Sequence, residues 1–172
     1  MQKSGIVLKL AATTALTTAS ALFATGCTGQ ISGMPNPWTD CGEDTVCAAK
    51  KAGFTFPVVL SNCQIHAMKG MIEVVYPLDE IRYVTVRKSD ESLFPGDNSG
   101  DYTKYGKNEV LTLKNGVQIN VRKNGDKIYV MYFGAESGNF SARCPQGMSE
   151  KEVEGIYNVI AETETKFLPG IP

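Results

Sequence analysis

Two periodicities organise the chain. From Phe54 onward the pattern is of strands: residues 63–68 and 71–76 form two runs on either side of Lys69-Gly70, a hairpin signal. Residues 81–88 then alternate, with Ile81, Tyr83, Thr85 and Arg87 on one face and Arg82, Val84, Val86 and Lys88 on the other. Residues 109–113, 117–122 and 127–133 are joined by Asn115-Gly116 and Asn124-Gly125, residue pairs that accept the positive φ of tight hairpin turns. Ser137-Gly138 turns the chain once more into residues 139–144. The period then changes to that of a helix: Val153, Ile156, Tyr157 and Ile160 share one face, behind Ser149 and Glu152 at capping-box spacing. A shorter helix is predicted over residues 40–53, with acids in its first turn, Lys50 and Lys51 later and Gly53 as its stop. Pro57, which lacks an N–H for the ladder, confines residues 56–60 to a sheet edge. The expected fold is α+β over residues 39–165: a mainly antiparallel sheet of about six to eight strands, a short N-terminal helix and a C-terminal helix packed on it. Residues 166–172 are read as a tail.

Residues 89–107 break the alternation. They carry Pro95, Gly96, Asp97, Asn98, Ser99, Gly100 and Asp101, then Tyr102 and Tyr105. Such a long connection in a compact domain is either a functional surface loop or simply mobile. As a binding loop it would use Asp97, Asp101, Tyr102 and Tyr105, the tyrosines offering amphipathic area at low entropic cost. Alternatively the tyrosines fold back onto the sheet. On either view, deleting residues 95–99 is expected to leave the melting temperature nearly unchanged.

The N-terminus reads as an export signal. Lys3 and Lys9 precede a run of apolar and small residues over 10–24, with no acid before Asp40. Thr13, Thr14, Thr17, Thr18 and Ser20 dilute that run below what a permanent span of about 20 apolar residues needs. It ends in Ala24-Thr25-Gly26-Cys27, which looks like a bacterial lipobox with Ala24 where Leu is usual. Residues 1–26 are therefore expected to be a lipoprotein signal peptide, with Cys27 lipidated by diacylglycerol and palmitate; the alternative is an ordinary secretory peptide cleaved at small residues, with Cys27 free. Two acyl chains, at about 0.8 kcal/mol per buried methylene, would hold the chain on the extracytoplasmic face of the cell membrane. Residues 27–38, rich in Gly, Pro, Ser and Asn, would form a flexible tether.

Charge excludes one partner class. The whole chain carries a formal −1, and the export segment holds two of its lysines and no acid. No basic run interleaved with aromatics appears, so no nucleic-acid partner is expected.

The chain has five cysteines, and four remain once Cys27 is assigned to the anchor. An even number in an exported chain favours disulfides, with three connectivities open. A wholly helical 41–47 segment would hold Cys41 and Cys47 roughly 9 Å apart, beyond bridging. That pair therefore requires the helix to start after Cys41, which Gly42 permits. Cys63 and Cys144, at strand ends, then form the natural second pair. Four reduced thiols are the alternative.

Candidate catalysis is thin. His66 is the single histidine, and no Gly-x-Ser-x-Gly elbow is present. His66, Met68 and Met71 have the soft donors that suit copper(I), but Met71 lies beyond the turn, and methionine in a β core is usually filler. Asp97 and Asp101 match no calcium-loop spacing, and zinc spacings are absent. No metal or other cofactor is expected.

Several segments resemble, in order, a family of uncharacterised exported lipoproteins from clostridial-type Gram-positive bacteria. That family is related to the extracellular domain of anti-sigma-factor-like proteins. The matching segments are Asn36-Pro37-Trp38-Thr39-Asp40-Cys41, Ala52-Gly53-Phe54, Met71-Ile72-Glu73-Val74-Val75-Tyr76, Val86-Arg87-Lys88, Gly100-Asp101-Tyr102 through Tyr105, and Gly147-Met148-Ser149-Glu150. The chain departs from the pattern in Cys47, Cys63 and Cys144 and in Pro95-Gly96. The resemblance implies the address and fold, a sensing or binding role, and no catalytic residue. The expected function is a non-catalytic binding or sensor module for an unidentified envelope ligand or protein. The alternative is an envelope enzyme or thiol-redox protein using Cys63 or Cys144.

Overall fold

The computed structural model describes residues 35–56 and 62–167. The expected export signal, Cys27, most of the expected tether, residues 57–60 of the expected edge piece and the last residues of the expected tail lie outside the described residues. Strand β1 (Thr39–Gly42) leads into helix α1 (Thr45–Ala52). There follow β2 (Gln64–Met68), β3 (Met71–Pro77), β4 (Tyr83–Ser89), β5 (Lys107–Thr112), β6 (Gln118–Asn124), β7 (Lys127–Ala135), β8 (Gly138–Met148) and helix α2 (Glu150–Phe167). All eight strands form one antiparallel sheet in the order β1-β2-β3-β4-β8-β7-β6-β5. The predicted α+β class and both helices are present.

The helix expected over residues 40–53 is in fact a strand and a shorter helix. Asp44 caps α1 by accepting hydrogen bonds from the Val46 and Cys47 N–H groups, and Gly53, at φ 89°, ends it. With the helix begun after Cys41, the Cys41–Cys47 disulfide forms across 5.7 Å between Cα atoms. At the other end Glu152 accepts from both the N–H and the hydroxyl of Ser149, while Ser149 Oγ accepts from the Glu152 N–H, completing the capping box. The helix runs to Phe167, past the predicted start of the tail.

The expected Cys63–Cys144 bridge is not formed; both cysteines are free. Register gives the reason. Gln64 pairs with Val75, Tyr76 with Val84, and Thr85 with Arg143, which puts Cys63 and Cys144 at one level of the sheet with β3 and β4 between them. Three strand spacings separate them by about 14 Å, twice the reach of a disulfide.

Alternation splits the sheet into two faces. Ile65, Ala67, Ile72, Val74, Val84, Val86, Met131, Phe140 and Ala142 point to one, where Ala48 and Ala52 of α1 and Val153, Ile156 and Ile160 of α2 cover them as one core. An irregularity between Ile128 and Val130 in β7 re-phases the strand, so Ile128 joins that core while Val130 is buried outside it. Among the described residues no helix is long and apolar enough to cross a membrane.

Candidate functional site

The second face is closed by residues 90–106, which cross it as a strap. Its anchors are polar. Asn98 donates from Nδ2 to Ser89 Oγ at 2.6 Å and to the Asn139 carbonyl at 2.9 Å, and Asn139 Nδ2 donates to the Phe94 carbonyl at 3.1 Å. Arg87 Nη1 donates to the Asn98 carbonyl at 3.1 Å, and Arg122 reaches the Asp101 carbonyl at 2.6 Å and the Asp97 carboxylate. Gly100, at φ 68°, passes over Arg87 where a Cβ would collide with the guanidinium. Asn98 and Ser99 are buried. The strap is therefore structural, and its buried, bonded Asn98 and Ser99 argue that losing residues 95–99 costs stability.

The loop's acids serve its own turns. Asp97 accepts from the Ser99 N–H, and Asp101 from the Thr103 N–H and the Tyr105 hydroxyl. Among the described residues no three His, Cys, Asp or Glu side chains are grouped to hold a metal ion. The two tyrosines divide: Tyr105 stacks on Tyr129 with ring centroids 5.1 Å apart, whereas Tyr102 is 95% exposed.

Between the strap and the β2–β3 hairpin lies a cleft of about 400 Å³, with Trp38, Met68, Met71, Arg87, Leu93 and Tyr102 among its walls. Trp38 comes from the segment before β1 and lies under the Arg87 guanidinium, 5.4 Å from the ring centroid. The floor beside it is a chain of charges in register: Asp40 opposite His66, His66 opposite Glu73, Glu73 opposite Arg87. Glu73 receives Arg87 Nε at 2.7 Å on one oxygen and faces His66 Nδ1 at 3.4 Å with the other. Burial pushes the Glu73 carboxyl up, but the His66 hydrogen bond and the Arg87 charge outweigh it and leave it below its ordinary value. The Glu73 hydrogen bond raises His66 against the opposing effect of burial. Both charged groups of the cleft wall are thus neutralised, Arg87 by Glu73 and Asp97 by Arg122.

The other candidate residues lie elsewhere. Cys144 is fully buried in β8, its Sγ 3.7 Å from the Gly147 carbonyl. The half-buried Cys63 thiol is pushed up by burial and by the charge of Glu43, which disfavours the nucleophilic thiolate. Among the described residues His66 bonds to no serine or cysteine. Trp38 and Arg87 were not singled out from sequence as site residues; alternation put Arg87 on the correct face, but no local signal links it to Trp38 or to the strap. Comparison with family models, with curated proteins and with solved structures finds no match for this chain.

Proposed function

We propose that the mature chain is an extracytoplasmic lipoprotein held in the cell membrane by diacylglycerol on Cys27, of the kind its sequence resembles. Its domain is a non-catalytic binding or sensor module for an envelope ligand or protein, and the Trp38–Tyr102 cleft is its contact surface. The observation that carries the binding reading is Tyr102. A tyrosine 95% exposed beside an aromatic- and methionine-lined cleft is amphipathic contact area that the fold itself does not use. The thiol alternative draws no support from Cys63, whose pKa is moved the wrong way, or from Cys144, which solvent does not reach. Residues 27–38 extend at most about 40 Å, which would keep the cleft within the envelope.

Two measurements test this. Cys27→Ser should abolish incorporation of labelled palmitate and release the chain from the membrane fraction; unchanged label and fractionation would remove the anchor. A photoreactive residue at position 102 should give a discrete cross-link in intact cells. The control is position 46, where Val46 is 60% exposed on α1. Equal background from both positions would remove the cleft as a binding surface.

A further inference from the structure

We propose that the partner of the cleft is the membrane itself: its open rim, Trp38, Leu93 and Tyr102, docks into the lipid interface of the bilayer that anchors the chain. This names the occupant of the cleft, and it rests on the readings of Cys27 as the anchor and of the cleft as the contact surface.

The point where the tether enters the domain sets which surface lies nearest the bilayer. Trp38 follows Cys27 by eleven residues, a span of at most about 40 Å. Thr39 pairs with Ala67 and Met68 with Met71, so the chain enters at the end of the sheet closed by the Lys69-Gly70 turn. The strap starts at that same end. Asp90 donates its N–H to the Gly70 carbonyl at 2.9 Å, and Leu93 lies over Gly70, where a Cβ would collide with its methyl group. The opposite end carries the β3–β4 connection, where Pro77 pairs with Tyr83. Strand β3 holds the two ends about 20 Å apart.

The rim has the chemistry of an interfacial contact. Leu93 is 50% and Tyr102 95% exposed, and both border the cleft with Trp38, Met68, Met71 and Phe94. Tryptophan and tyrosine favour the headgroup level of a bilayer, where the ring meets acyl chain and the polar tip meets water. No lone charge of the cleft wall has to leave water, because Arg87 is paired with Glu73 and Asp97 with Arg122. Around Leu93, Lys69 stands against Asp90, Glu91 and Glu136. Apolar and aromatic area, rather than attraction to anionic headgroups, would therefore hold the contact. It need not be strong, since the anchor makes docking intramolecular and raises its effective concentration.

Trp38 is the single tryptophan of the chain and reports the contact directly. The mature lipidated chain, purified in detergent, is reconstituted into phosphatidylcholine vesicles with and without bromine near the headgroup end of one acyl chain. Flotation with the vesicles checks the anchor. Trp38 emission should move to shorter wavelength on reconstitution and fall at least about twofold in the brominated vesicles. Tyr102→Asp and Leu93→Asp place a charge at the interface and should each relieve most of that quenching. Ile81→Asp, at a residue 79% exposed at the other end of the sheet, should leave it unchanged. Melting temperatures within error of the parent show that the variants are folded. In the same vesicles a photoreactive residue at position 102 should gain the mass of one phospholipid, and one at position 81 should not. Protein that floats while Trp38 stays unquenched, or equal quenching in all four proteins, overturns the docking and leaves the anchor standing. A position-102 adduct in cells with protein or glycan in place of lipid overturns the lipid partner and leaves the cleft as a binding surface. Protein that does not float overturns the anchor and the docking with it.

Discussion

On the helix-covered face, Ile72, Val74, Val84, Val86, Met131 and Phe140 are at most 1% exposed and meet α1 and α2 through apolar contact. On the strap-covered face, Ser89, Asn98, Ser99, Asn139 and Ser141 are buried too, at no more than 6% exposed, beside Met71 and Val130. One backbone therefore supports two kinds of interior. The first depends on area and shape, which many side chains supply. The second depends on particular donors and acceptors, because a buried amide without its partner costs about 1–3 kcal/mol. The cleft lies on the second face, where the cover is a strap rather than a helix.

The comparison breaks first if the helix-covered face is dispensable. Phe140 is fully buried and stacks on Phe133 with centroids 5.4 Å apart, and Phe133 meets Tyr157 of α2 at 5.0 Å. Phe140→Ala should cost about 3–5 kcal/mol in chemical denaturation. A loss below about 1 kcal/mol would place the core elsewhere.

Asn98→Ala sharpens the contrast. It removes the donor that serves Ser89 and the Asn139 carbonyl, and should cost about 1–3 kcal/mol. It should also speed amide exchange in the strap while leaving α2 protected. Uniform loss of protection would mean that the two faces unfold as one unit. Tyr102→Ala, at a residue in solvent, should shift stability by no more than about 0.5 kcal/mol.

The Cys41–Cys47 link tests the sheet's short edge. It closes a sequence separation of 6 and ties β1 to α1. Replacing both by serine should cost about 2 kcal/mol by the chain-entropy estimate for so small a loop. A wild-type melting temperature under reducing conditions would deny it any role.

How much of this was legible in the sequence follows from where each face stores its information. The helix-covered face is written in local periods: alternation predicted β4 and β6, Asn-Gly pairs marked the hairpins, and Ser149 with Glu152 marked α2. The strap is held by partners as distant as Asn98 and Asn139, or Arg122 and Asp97, pairings that no period records. Loop composition marked residues 89–107 as a break in the alternation, but it could not say that the loop is pinned down. Pairing Cys63 with Cys144 failed for a related reason: strand order, a non-local property, sets them apart. The Met68–Met71 juxtaposition was within reach, because a two-residue turn fixes that register by itself.

A small, pH-dependent effect concerns a polar clasp on the margin of the helix-covered face. Arg82, in the β3–β4 connection, donates to Glu152 at 2.6 Å, to Asp79 and to the Gly147 carbonyl, linking that connection to the start of α2. The Arg82 hydrogen bond, helped by those from Ser149, holds the Glu152 carboxyl below its ordinary range. A depressed carboxyl contributes stability that is fully present above the unfolded value of about 4.3 and is lost as pH falls through the lower folded value. Both partners are about a quarter exposed, so the contribution should be about 1 kcal/mol or less. Wild type and Glu152→Gln should therefore differ modestly in denaturation midpoint near pH 6, and the gap should close as the solution is acidified below about pH 4. A gap that stays constant with pH would assign the effect to the neutral capping bonds of Ser149 rather than to charge. A gap that widens in acid would reverse the sign of the linkage and remove the clasp as a stabilising contact.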